Sequence, residues 1–185
     1  MPPRQRAPKP IFSAQERQTL DQQIARVHQY HQAFKAFDVQ QFNAGDGKKK
    51  LDLYIMYETR YQGYAATMNP LYYSLCRALN KIGAEDLDHR EDALRDRIQH
   101  ATGQARAAFG FANSLKAAID AWLPTLTQEQ RAHCAQQLRN TQAAAEGLRS
   151  LNKQSKLDQE VLEQQARARL HFQQPSSYGA LRKKL

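Results

Sequence analysis

Residues 86–123 read DLDHREDALRDRIQHATGQARAAFGFANSLKAAIDAWL, and this stretch decides the fold. Leu94, Ile98, Ala101, Ala105, Ala108, Ala112, Leu115, Ile119 and Trp122 recur at strictly alternating spacings of four and three. That spacing places every one of them on a single stripe of an α-helix and defines a sustained heptad seam. A helix is therefore expected over about 86–123. Glu85, Asp86, Asp88, Glu91 and Asp92 crowd its start, where negative charge suits the positive end of the helix dipole. Gly103 and Gly110 lie inside it and weaken it by about 1 kcal/mol each relative to alanine, so packing must offset them.

Downstream, Pro124 breaks the chain, and Thr127 with Gln130 has the capping-box spacing that opens a second long helix over about 127–172. Its stripe is Cys134, Leu138, Thr141, Ala145 and Leu148, then Leu162, Ala166 and Leu170, with a polar interruption at Asn152 to Ser155 where a kink is expected. A short connection between two such helices predicts an antiparallel hairpin. Ala105 would then face Ala145, Ala108 would face Gln142, and small residues would let the two backbones approach closely.

Upstream, three shorter helices are expected. Ser13 and Glu16 form a capping box ahead of Leu20, Ile24, Val27, His31 and Phe34, which share one face. Gly45, Asp46 and Gly47 favour a stop there. The second helix runs from Leu51 to about Met68. Asn69 as N-cap and Pro70 in the first turn open the third, whose stripe is Leu71, Leu75, Leu79 and Ile82 and whose C-cap is Gly83. The fold class is thus all-α: an elongated helical bundle built on a long two-helix hairpin, with three shorter helices packed on it. Residues 13–173 read as a single domain, between a Pro-rich basic arm over 1–12 and a basic tail over 174–185.

Charge is placed unevenly. The ends, residues 1–12 and 164–185, hold eight cations and no acid, so of the net +9 only +1 belongs to residues 13–163. Such ends suit an acidic protein, nucleic acid or an anionic surface, or serve solubility alone. Cys76 and Cys134 form no disulfide framework, the start carries no apolar signal segment, and no run approaches a membrane span. A cytoplasmic protein is expected, with export through a non-cleaved signal as the remaining route.

The residues that could carry function are few. Tyr54, Tyr57, Tyr61 and Tyr64 lie at spacings of three, four and three, close to Lys48, Lys49, Lys50 and Arg60. Together they could form a basic aromatic surface on which bases or a protein partner stack. The competing structural reading is a core face whose hydroxyls reach the rim. Arg182, Lys183 and Lys184 in the tail complete the candidate partner-binding set. His28 with His31 and Asp86 with His89 have metal-ligand spacing, but the chain lacks the Glu-x-x-His pairs of a di-iron bundle, and no metal or cofactor is expected. No nucleophile elbow, phosphate loop, dinucleotide fingerprint, zinc finger or basic zipper region occurs. The expected function is a non-catalytic helical interaction or assembly protein, with a protein partner or a second copy of itself and with basic termini on an acidic partner. The alternatives are a nucleic-acid-binding accessory protein using its tails and the Tyr/Lys surface, and a small-molecule-binding bundle or enzyme centred on the tyrosine stripe.

Overall fold

The first ordered turn follows from local chemistry. The Ser13 hydroxyl accepts from the Glu16 N–H at 3.1 Å, while the Glu16 carboxylate accepts from the Ser13 N–H at 2.7 Å, the reciprocal box expected there. It opens α1, Ala14–Phe34. The structure, a computed structural model, describes residues 9–173, with side chains to Arg167. Most of the arm and the whole tail, with Arg182, Lys183 and Lys184, lie outside the described residues.

The remaining elements are α2 (Val39–Ala44), α3 (Gly47–Glu85), α4 (Asp92–Trp122), a single 3₁₀ turn at Leu123–Thr125, and α5 (Gln128–Gln173). No strand occurs among the described residues. The all-α class is as expected, and four helices, α1 to α4, pack together. The chain divides into two compact units, one up to Gln136 and one from Gln137 onward, with the division inside α5.

Several boundaries differ from the sequence reading. The first helix stops at Phe34, and a short helix intervenes, because the Asp38 carboxylate accepts from the Gln40 and Gln41 N–H groups and starts α2. Gly45 then turns the chain: a Cβ there would stand 2.9 Å from the Gln41 carbonyl oxygen, so glycine is required by close approach. Asp46 caps α3 through the Lys49 N–H at 2.9 Å.

The expected break at Asn69–Pro70 does not occur. Pro70 sits inside one continuous helix of 39 residues. Proline removes the hydrogen bond to the Ala66 carbonyl, but Ala66, Asn69 and Pro70 are all exposed, so water reaches that oxygen. Met68, Leu71, Leu75, Ala78 and Ile82 are buried on the opposite face. Their spacings of three, four, three and four pass through Pro70 without a change of phase, so burial of this face holds the helix together across the lesion. Gly83 likewise lies within α3, and Asp86 takes the C-cap position.

The start of α4 comes later than the acidic cluster suggested. Asp86, whose side chain is fully buried, accepts from the Arg90 N–H at 3.0 Å and the Glu91 N–H at 2.9 Å. This ties residues 86–91 into a loop, in which His89 adopts a left-handed φ of 56°. Glu91, also buried, is ion-paired with Arg17 of α1.

The seam of α4 is buried from Leu94 to Ile119, with Ala101, Ala105, Ala108 and Ala112 each 0% exposed. The helices packed on α4 are α1 and α3, with α2 touching it as well. The alanine band therefore admits α1 and α3. Gln142, Ala143 and Ala144 are exposed and Ala145 is half-buried. The Thr127–Gln130 capping box opens α5 as expected, with bonds of 2.9 and 3.2 Å. The helix runs unbroken through 152–155, where the Gln154 amide donates to the Asp158 carboxylate at 3.0 Å, one turn on.

Candidate functional site

Helix α3 turns Tyr64 toward Tyr30 and Phe34 of α1, and Tyr57 and Tyr61 toward Phe37 just beyond that helix. Tyr57 is buried, and its ring stacks on Tyr61 with centroids 4.9 Å apart. Phe37 meets Tyr57, Tyr61 and Tyr64 at 5.6, 6.3 and 5.7 Å, and Tyr64 also touches Phe34 at 5.5 Å and Tyr30 at 6.0 Å. Edge-to-face and offset contacts of this kind fill an aromatic core. Burial raises the Tyr57 phenol to about 12, with Tyr61, Glu58 and Asp120 adding to the shift. Burial likewise pushes Tyr54 upward. Both phenols are held protonated, and the Tyr57 ring lies against Phe37.

The basic residues separate from the rings. Lys48, Lys49 and Arg60 are exposed, whereas Lys50 is half-buried with its ammonium 5.8 Å from the Phe42 ring centroid. Lys48 instead borders a groove of about 500 Å³ with apolar walls of Leu51, Trp122, Leu126 and Cys134, and with Glu129 and His133 at its edge. Nothing in the sequence pattern pointed to this groove, since its walls come from three separate segments. Cys134 is a free thiol, buried and pushed up in pKa by that burial, which makes it a poor nucleophile.

The histidines do not converge. His28 pairs its Nδ1 with the Gln104 amide at 3.1 Å, while the His31 ring stacks on Phe111 at 5.9 Å. The Nδ1 of His31 is buried without a hydrogen-bond partner. Burial, followed by the positive neighbours Lys35, His28 and His100, holds the His31 pKa below its ordinary value. His89 is paired with Asp92 at 3.4 Å, and Asp86 is committed to backbone amides. Among the described residues no group of three His, Cys, Asp or Glu side chains is placed to hold a metal ion.

The exposed apolar side chains concentrate elsewhere. Leu148, Leu151 and Leu162 on α5 are 63%, 68% and 65% exposed, and Leu157 and Val161 are about half exposed. The stripe read in the sequence for this helix is therefore real as a pattern, yet from Thr141 onward only Ala145 of its described residues is even half-buried. No described helix is long and apolar enough to cross a membrane. No protein-family model, no curated protein and no solved structure matches the chain.

Proposed function

We propose that this chain is a non-catalytic helical interaction or assembly protein that engages a protein partner through α5 and contacts an acidic surface through its basic ends. One observation carries the reading: Leu148, Leu151 and Leu162 stand more than 60% exposed on a single helix. A polar helix of this length draws little stability from propensity alone, and tertiary packing of an apolar face normally supplies the rest. Large apolar side chains left in water on such a helix mark a surface that a partner covers. The α4 seam offers no such surface, because α1 and α3 already fill it.

The test is photo-cross-linking in the native cell, with a photoreactive residue replacing Leu148 or Leu162 in the full chain and the adducts identified by mass spectrometry. A defined protein adduct that is lost with Leu151→Asp supports the reading. A chain that is strictly monomeric and forms no adduct overturns it. A second reading, nucleic-acid binding, draws on the exposed Lys48, Lys49 and Arg60 and on the basic ends. It requires affinity that falls steeply with salt and on deletion of residues 1–12 and 176–185. Failure to shift any DNA or RNA at low salt ends it. The small-molecule reading has less support, since Tyr57 and Tyr64 pack against Phe34 and Phe37.

A further inference from the structure

We infer that Leu87 of one copy inserts into the groove between the starts of α3 and α5 of another, joining copies of this chain head to tail. The contact is separate from the exposed stripe of α5. Leu87 is 83% exposed, more than any other large apolar side chain among the described residues. A lone leucine on a surface is ordinary. What distinguishes this one is the loop that carries it. The fully buried Asp86 carboxylate accepts from the Arg90 and Glu91 N–H groups, His89 is held at a left-handed φ of 56°, and Glu91 is ion-paired with Arg17 of α1. Residues 86–91 are thereby fixed, with Leu87 standing out from them into water. A side chain presented on a fixed loop loses little conformational entropy when a partner covers it, which suits an interface anchor.

The groove is the receptor. Leu51, Trp122, Leu126 and Cys134 wall a space of about 500 Å³, with Lys48 and Glu129 on its border. Leu51, Trp122 and Leu126 are each only half-buried, so apolar surface stays in water around a cleft with room for a leucine and part of its loop. These residues and Leu87 all belong to the compact unit that ends at Gln136.

Within one copy the two cannot meet. Leu51 and Glu85 lie toward opposite ends of α3, about 50 Å apart along the helix, and Leu87 follows just beyond Glu85. The contact is therefore intermolecular and heterologous, with different patches on the two partners, and it propagates into a ring or an open chain. Charge suits this pairing. Neither Lys48 nor Glu129 has an ion pair among the described residues. The exposed charges next to Leu87 are Glu85, Asp88 and Arg90. Either acid complements Lys48, and Arg90 complements Glu129, so both border charges find an opposite sign across the contact. Asp88 and Arg90 pair with each other at 3.4 Å in the single copy, but that pair is exposed and rearranges at little cost.

The experiment uses the full chain. Sedimentation velocity over a concentration series compares the unmodified protein with Leu87→Asp, with Leu126→Glu and with a mixture of the two variants, while circular dichroism checks that each stays folded. Separately, Leu87→Cys is oxidised with copper phenanthroline and its disulfides are located by peptide mapping. Head-to-tail insertion predicts a mass that grows with concentration for the unmodified chain and a monomer for either variant alone. The mixture should form dimers and nothing larger, because one variant keeps its anchor and the other keeps its groove. Oxidation should link residue 87 chiefly to Cys134 of another copy. An unmodified chain that stays monomeric throughout overturns the inference, as does a disulfide formed chiefly to Cys76 or between two residues 87. If Leu87→Asp associates as the unmodified chain does, copies meet through another surface: the insertion is wrong, while the α5 reading stands.

Discussion

His31 is one side chain through which pH acts on this fold. Its folded pKa lies below the ordinary 6.5, so the native state favours the neutral ring. The stability this confers is complete above about pH 6.5 and falls as the pH drops through the window just below, where the unfolded chain takes up the proton first. His31→Leu should flatten that part of a plot of urea midpoint against pH. Asp86 acts lower down. Burial tends to raise its pKa, but the Glu91 and Arg90 amides and the charge of Arg95 outweigh that and hold it down. Its contribution is present above about 3.8 and lost below, so the two residues separate on the pH axis. Gly103 and Gly110 make a second residue-scale case. A Cβ at either position would meet nothing within 4 Å. Gly103→Ala and Gly110→Ala should each stabilise by about 1 kcal/mol in denaturant unfolding, because only the helix penalty of glycine is removed. That penalty was legible in the sequence; the free space was not.

Among the elements, α3 shows how burial overrides a local signal. Asn69–Pro70 is a sound helix start when judged by itself, and the 39-residue helix passes through it. The deciding evidence was present in the chain: Tyr64, Met68, Leu71 and Leu75 keep one phase across the proline. A local capping rule and a long-range periodicity conflicted, and the periodicity carried more free energy, since each buried large apolar side chain contributes roughly 1.5–3 kcal/mol. Pro70→Ala should therefore stabilise, by up to about 3 kcal/mol, by restoring the bond to the Ala66 carbonyl. An unchanged or lowered midpoint would mean that the proline is needed where it stands. The capping boxes at Ser13 and Thr127 were readable because they involve residues three apart. The Asp86 loop was not, because its formation depends on burying the carboxylate between helices.

At the scale of the molecule, the two compact units predict different behaviour. The first contains nearly all of the buried side chains, from Phe12 to Cys134, while almost every described side chain beyond Gln142 is exposed. A chain ending after Gln136 should keep cooperative thermal unfolding with a midpoint within a few degrees of the full chain at concentrations too low for association; loss of cooperativity would show that the rest of α5 belongs to the core. The candidate site divides along the same line. Tyr54, Tyr57, Tyr61 and Tyr64 were found by spacing, and Tyr57 is buried in the core while the other three pack half-buried against it, whereas Leu148, Leu151 and Leu162 were seen as a stripe and remain in water. By itself the sequence determined the helical class, the seam of α4 and the capped starts of α1 and α5, because these depend on residues three or four apart. Only the tertiary structure decided which helices fill that seam. Alanine at four successive positions invites any close backbone, and the packing of α1 and α3 there goes with the summed burial of Phe34, Phe37, Met68 and Leu75, which no local spacing reveals.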